Sequence, residues 1–386
     1  MHISNCYVIV MPGDNLMKNI IGNESCYGCG ACSLVCPKGC LEMVSDKEGF
    51  VYPRISKFGV CINCGECKAH CPSFVELRDE AYYGLQKDWC SVYAANNKDN
   101  GIRMKSSSGG IFSLFAECIL NDGGYVCGAI FDRKFAVRHI LVHSKEQLYR
   151  IMGSKYVQSD ITDVLLHIKE LLESGEKVLF SGTPCQVAGL RAYLGKKYDT
   201  LLCIEVICHG SPSPLVWKDY FDMKERDKGS IQSISFRDKS KSWKSYLVEI
   251  VYANGEREKK NFGDNIFMKG FLADFFLRKT CYSCGYKGKC SVADIQLGDC
   301  WGAQEICPGL DDDKGTSVVI IKSEKGMKYY NMIEDRISHM AVLYDDVVKY
   351  NPSVEYSSDK LNDRIEFFEE YERLGLYKAI CNMMKG

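Results

Sequence analysis

Between Asp160 and Ser174 the apolar residues Ile161, Val164, Leu165, Ile168, Leu171 and Leu172 recur at intervals of three and four. That is the period of a helix with one buried face, and Gly175 stands where a left-handed cap ends such a helix. Val178-Leu179-Phe180 then reads as a buried strand and Ser181-Gly182-Thr183-Pro184 as the turn after it. Pro184 suits the first turn of a helix running to about Leu194, and residues 201–207 form a second buried strand. Strand, helix, strand with short turns predicts a βαβ unit and a locally parallel sheet.

Other patterns fill in the chain. Residues 1–21 read as a lead-in with a strand near residues 7–11, and residues 77–100 as a connector. The run Ser106-Ser107-Ser108-Gly109-Gly110 precedes a helix over residues 111–120, stopped by Asn121-Asp122-Gly123-Gly124. Residues 246–252 and 256–262 flank Asn254-Gly255, a hairpin signal. Residues 361–384 read as a helical tail charged on one face. The expected division is a lead-in (1–21), a Cys-rich module (22–76), a large domain (77–350) and a tail (351–386).

A length of 386 residues suggests two or three domains. Lysine plus arginine number 49 against 50 acidic residues, so no charge imbalance points to nucleic acid or an anionic membrane. No apolar run approaches the roughly 18 residues of a membrane span. The N-terminus lacks the basic and apolar regions of a signal peptide, and a cytoplasmic location is expected. Cysteine is the anomaly: there are 22. In a reducing compartment clustered cysteines point to metal or redox chemistry rather than disulfides. Cys90, Cys118, Cys127, Cys203 and Cys381 are scattered and read as packed thiols.

Two units carry the strongest signal: Cys26-x2-Cys29-x2-Cys32-x3-Cys36-Pro37 and Cys61-x2-Cys64-x2-Cys67-x3-Cys71-Pro72. In such a pair each unit wraps three thiolates around one cubane, and its fourth cysteine reaches the other cluster. Cys26, Cys29, Cys32 and Cys71 are therefore assigned to one 4Fe–4S cluster, and Cys36, Cys61, Cys64 and Cys67 to a second. Gly28, Gly30 and Gly65 suit tight turns against an inorganic core. Cys40 follows the first unit without a role and reads as a packed thiol. Cys281-x2-Cys284-x5-Cys290 offers three further ligands, with Cys208 chosen as the fourth and Cys300 or Cys307 as alternatives. The metal there is iron, as a third 4Fe–4S cluster, or zinc, since spacing alone does not separate them.

Five further stretches occur in order behind the ferredoxin module. They are residues 106–113 (SSSGGIFS), 153–159 (GSKYVQS), 181–186 (SGTPCQ), 208–213 (CHGSPS) and 294–302 (DIQLGDCWG). With that module they resemble, over nearly the whole chain, the beta subunit of coenzyme F420-reducing hydrogenase and its dehydrogenase relatives. Relatives of that family include 7-hydroxymethyl chlorophyll a reductase. The resemblance implies an α+β protein: a bacterial-type two-cluster ferredoxin module joined to a mixed α/β domain holding FAD. It also implies at least one more cluster and a two-electron acceptor, coenzyme F420 or a small organic substrate. Nothing resembles a nickel site, so hydrogen itself is not the expected substrate.

A flavin also fits the logic of the wire, because it exchanges electrons singly or in pairs. Ser106, Ser107, Ser108, Gly109 and Gly110 ahead of a helix suit a pyrophosphate. The matching stretches add Ser154, Lys155, Tyr156, Gln158, Gly182, Thr183, Pro184, Cys185 and Gln186 as flavin-binding candidates. Lys155 would bind phosphate or balance the reduced flavin. For Cys185 the readings are flavin contact (the one favoured), cluster ligand or packed thiol. His209 and Asp299 are candidates for passing a proton. The expected partners are ferredoxin or another redox subunit and a small-molecule or deazaflavin substrate, with no nucleic acid and no membrane span, and an oligomer is compatible. The competing classes are a relay subunit without its own substrate site and a cluster-bearing redox sensor.

Overall fold

A computed structural model describes residues 25–75 and 91–385. The lead-in with its strand near residues 7–11, most of the connector and Cys90 lie outside the described residues. Thirteen strands are described: β1 (Leu41–Ser45), β2 (Val51–Ile55), β3 (Ser91–Asn97), β4 (Tyr125–Phe131), β5 (Val137–Val142), β6 (Val178–Gly182), β7 (Leu201–Val206), β8 (Ile231–Asp238), β9 (Leu247–Tyr252), β10 (Arg257–Asn261), β11 (Ile295–Asp299), β12 (Ser317–Ile321) and β13 (Ile337–Ala341).

The large sheet has the order β13-β3-β12-β11-β7-β6-β4-β5. Its centre, β11-β7-β6-β4, is parallel, and β12, β3, β13 and β5 extend it in antiparallel fashion. The apolar runs of β6 and β7 follow from burial on both faces. Val178, Phe180, Leu201 and Cys203 point into one core, against the helices Thr162–Glu173 and Pro184–Leu194. Leu179, Leu202 and Ile204 point into the other, against the helix Ile111–Asn121. The βαβ unit is observed, with Leu179 opposite Leu202 in parallel register.

A smaller antiparallel sheet, β10-β9-β8, turns at Asn254-Gly255, with Gly255 at φ 85°. Its apolar face packs with Trp217, Phe267 and Phe276. The expected tail is helical but breaks at Gly375 (φ 76°) into Leu361–Leu374 and Leu376–Met383. Phe367, Leu376, Ala379 and Ile380 join the same core as Trp217, so the tail is integral to the body. Part of the connector is corrected too: residues 91–97 form β3, inside the large sheet.

The ferredoxin module holds the β1–β2 hairpin and two one-turn helices, Ala31–Leu34 and Glu66–Ala69. It is strapped to the body. Buried Arg278 donates to the carbonyls of Cys26 (2.7 Å) and Val51 (2.9 Å) and to Gln158 Oε1 (3.2 Å). Arg364 pairs with Glu48 and donates to Leu277 O at 2.6 Å. Gly189, on the helix Pro184–Leu194, lets that helix ride directly on Cys29: a Cβ there would meet Cys29 Cβ at 2.5 Å.

Candidate functional site

The two Cys units fold alike. In each, a glycine in the left-handed region, Gly30 (φ 78°) or Gly65 (φ 84°), starts the one-turn helix. In the loops before them, the amides of Gly28 and Asn63 reach Cys26 Sγ and Cys61 Sγ at 3.4 and 3.3 Å. Asn63 (φ 53°) takes the left-handed role that Gly28 (φ 71°) has in the first unit. Two cavities of about 380 Å³ result. Cys26, Cys29, Cys32 and Cys71 line the inner one, and Cys36, Cys61, Cys64 and Cys67 line the outer one together with Cys40. The exchange of fourth cysteines between units is thus built into the backbone. Burial, with neighbouring sulfurs adding to it, pushes the thiols of Cys29, Cys32 and Cys71 up, Cys71 to about 11. Four such sulfurs suit a cationic core that lets all of them ionise.

A third cavity, of about 560 Å³, is lined by Cys185, Cys208, Cys281 and Cys284. Tyr27 lines both it and the inner ferredoxin cavity. Cys185 stands in the first turn of the helix after β6, and Cys208 just past β7. Adjacent parallel strands therefore deliver both to one place. Burial pushes all four thiols up, Cys185 to about 11 and Cys284 to about 12. The Ser211 amide donates to Cys281 Sγ at 3.3 Å, and the cationic side chains of Arg278 and Lys287 line the same wall. Cys290 is not in this wall; it is disulfide-bonded. The fourth sulfur beside Cys208, Cys281 and Cys284 is therefore Cys185, which corrects both the choice of Cys290 and the placing of Cys185 against the flavin. Cys300 and Cys307 are buried in a separate core. Among the described residues no three His, Cys, Asp or Glu side chains are gathered to hold a single metal ion. The sulfurs of each set line a cavity instead.

The fourth cavity is the largest, about 1820 Å³. It lies at the carboxyl ends of β6, β7 and β11, where open parallel sheets bind ligands. Ser159, Thr183, Gln186, Cys208, His209, Gly210 and Ser211 line both it and the third cavity. Ser106, Ser107, Ser108 and Gly110 form one wall, with Gly110 (φ 78°) starting the helix Ile111–Asn121. Ser107 Oγ accepts from the Ser154 amide at 2.8 Å, joining two of the sequence stretches. Lys155 Nζ donates to Met152 O at 2.7 Å, and burial pushes the lysine down to about 7. Val206 and Leu272 line the cavity yet are 43% and 40% exposed, so it opens to the surface.

Opposite the serine loop, Arg237 Nη1 donates to Asp299 Oδ2 (2.6 Å) and to Tyr156 OH (3.1 Å). The guanidinium lies 4.2 Å from the Tyr246 ring centroid and 5.4 Å from that of Trp301. His209 Nε2 lies 2.6 Å from Asp274 Oδ1, not aligned for a straight hydrogen bond, and its ring meets Phe271 edge-on. His139, buried in the wall of the cavity, bonds Ser181 O at 2.9 Å, and burial pushes it down to about 4.

Residues 25–75 match the model of the 4Fe–4S dicluster domain. Residues 92–166 and 175–342 match the N-terminal and C-terminal models of the coenzyme F420 hydrogenase/dehydrogenase beta subunit, together more than half of the chain. The chain belongs to this beta-subunit family. It is 24% identical over 338 residues to one subunit of the F(420)H(2) dehydrogenase of Methanosarcina mazei, covering 84% of this chain and 86% of that one. It is 26% identical over 336 residues to the coenzyme F420-dependent sulfite reductase of Methanocaldococcus jannaschii, covering 82% of this chain but 47% of the reductase. A chain of the F420-reducing NiFe hydrogenase complex from Methanosarcina barkeri aligns with TM-score 0.47 and 16% identity, over 74% of this chain and 93% of that one. This beta-subunit homologue is accordingly an iron–sulfur electron-transfer protein. No described helix is long and apolar enough to cross a membrane.

Not every flavin candidate in the beta-subunit chain faces the large cavity. Ser106, Ser107, Ser108, Gly110, Ser154, Lys155, Tyr156, Gly182, Thr183 and Gln186 do. Gly109 is instead pressed between strands, where a Cβ would meet Ala95 O at 2.5 Å. Gln158, Pro184 and Cys185 face the third cavity. Gln186 closes a capping box with Thr183 and donates to Ser159, so it positions the turn. Asp299 is anchored by Arg237. Sequence reading missed Arg237, Tyr246, Trp301 and His139. The first two lie on or beside strands of the small sheet, and only strand pairing shows where they point.

Proposed function

We propose that the large cavity holds FAD, and that Cys185, Cys208, Cys281 and Cys284 hold a third 4Fe–4S cluster beside it. On this reading electrons pass between a one-electron donor, ferredoxin or a partner subunit, and a two-electron acceptor by way of the ferredoxin clusters. The observation that carries the reading is the shared wall: Cys208 and His209 line both the four-cysteine cavity and the large one, while Tyr27 joins the four-cysteine cavity to the ferredoxin module. When bound, the flavin supplies the exchange between single electrons and electron pairs.

The chain's own residues have defined tasks. The Ser106–Ser108 loop and the helix start at Gly110 offer hydroxyls and amides to a pyrophosphate. Lys155, held near neutrality by burial, gains charge beside an anion. His209 is backed by Asp274 and sits where the two cavities meet, so it suits proton exchange. Arg237 is fixed by Asp299 and presents a cation beside Tyr246 and Trp301 for an anionic, planar acceptor. The acceptor is coenzyme F420 or a small organic molecule. The open mouth at Val206 and Leu272 favours an enzyme over a sealed relay.

The test is anaerobic purification with iron, sulfide and flavin quantitation, followed by reoxidation of the reduced protein with coenzyme F420. Protein that carries its clusters but releases no FAD on denaturation removes the flavin reading. Protein with FAD that is not reoxidised by F420 or by small organic acceptors becomes the relay.

A further inference from the structure

Five sulfurs, not four, face the outer ferredoxin cavity. Besides Cys36, Cys61, Cys64 and Cys67, the wall contains Cys40, a residue only 2% exposed. Its Sγ lies 3.4 Å from Cys36 Sγ, and its amide donates to the same sulfur at 3.4 Å. The backbone brings this about. Residues 36–39 form a turn closed by the Gly39 amide on Cys36 O at 3.0 Å. Gly39, at φ 56°, then folds the chain back so that residue 40 returns beside residue 36. Gly59 packs closely behind: a Cβ there would sit 2.9 Å from Cys40 Cβ, so the lack of a side chain at residue 59 lets the two segments approach.

The second unit is an internal control. Its position four residues past the last cysteine, counted from Cys71, is Val75, and the inner cavity is lined by its four ligands with no fifth thiol. The fold therefore accepts an apolar side chain at this place. The outer cavity is also the one reached by solvent, since Cys64 is exposed. A cluster there is the one more open to ligand loss by oxidation.

We propose that Cys40 is a reserve ligand of the outer 4Fe–4S cluster. While Cys36 holds its iron, the Cys40 S–H donates to the ligating sulfur. When the Cys36–iron bond is lost, Cys40 releases its proton to water and its thiolate takes the vacant iron site, with no change in the electron count of the cluster. The inference rests on the ferredoxin clusters alone and stands whatever the large cavity binds.

The experiment compares full-length Cys36→Ala, Cys40→Ala, the double variant and Cys71→Ala, purified anaerobically, by iron and sulfide content and by EPR. Cys36→Ala is expected to keep the wild-type iron content and a 4Fe–4S signal from the outer cluster. The double variant and Cys71→Ala are expected to show cluster loss or a 3Fe–4S signal. Equal loss in Cys36→Ala and the double variant overturns the proposal. A second measurement leaves all eight assigned ligands in place: under a peroxide challenge the outer cluster of Cys40→Ala should bleach several-fold faster than that of wild type. Equal bleaching rates also overturn it.

Discussion

Replacing Cys185 with Ala, and separately Cys290 with Ala, separates the four-thiol cavity seen here from the ligand set that spacing alone suggests. Three cavities are each lined by a set of four candidate ligand cysteines, with Cys40 as a fifth thiol at the outer one. If each holds a cubane, the intact chain carries about twelve irons and about twelve sulfides. Cys185 supplies one of four sulfurs to the third cavity, so its removal leaves three. The product should hold about eleven irons with a 3Fe–4S signal, or about eight if the whole cluster is lost. Cys290 lies outside the cavity, so Cys290→Ala should retain about twelve. The assay is iron and zinc by plasma emission, acid-labile sulfide by colorimetry and EPR before and after dithionite. Full iron in Cys185→Ala together with loss in Cys290→Ala would refute the assignment. A wild-type chain with about eight irons and one zinc would refute the cubane at this cavity.

Gly189→Ala should push the ferredoxin module off the helix Pro184–Leu194, because its Cβ would meet Cys29 Cβ at 2.5 Å. Overpacking of that kind costs about 1–3 kcal/mol, read as a lower temperature at which the visible cluster absorbance is lost; an unchanged temperature refutes the contact. Lys155 is pushed down to about 7 by burial, so at pH 8 it is mostly neutral and should take up close to one proton when an anionic flavin binds. Calorimetry in buffers of different ionisation enthalpy detects this uptake, which Lys155→Met should abolish; heats independent of the buffer would contradict it. His139 is held neutral, down at about 4, below its unfolded value of about 6.5. Its contribution is therefore complete above pH 6.5 and is lost as pH falls toward 4. Relative to His139→Gln, wild type should lose about 2 kcal/mol of stability between pH 7 and pH 5, and parallel unfolding curves would dismiss the linkage.

Much of this was legible from residue order. The βαβ unit declared itself because β6 and β7 alternate between two apolar layers, leaving no polar face to confuse the reading. The ferredoxin cavities were legible because their ligands are local. β3 was not: its Asn96 and Asn97 look like connector residues, yet both are buried, their side-chain amides bonding Leu310 O and Gly110 O. The third cavity shows where linear reasoning stops. Cys185 and Cys208 are far apart in sequence, and they meet because β6 and β7 are parallel neighbours. That pairing was itself predicted, so the signal was present: cysteines just past the carboxyl ends of adjacent parallel strands must be close. Arg237 gave no such signal, because a charged residue on a strand looks the same whether it faces water or, as here, Asp299 and Trp301.

The double strap at Arg278 and Arg364 has a consequence for kinetics. A module anchored at Cys26, Val51 and Glu48 is hard-wired rather than a swinging arm. Internal transfer in such a molecule should be insensitive to solvent viscosity, and any diffusive step in turnover then belongs to the visiting donor or acceptor.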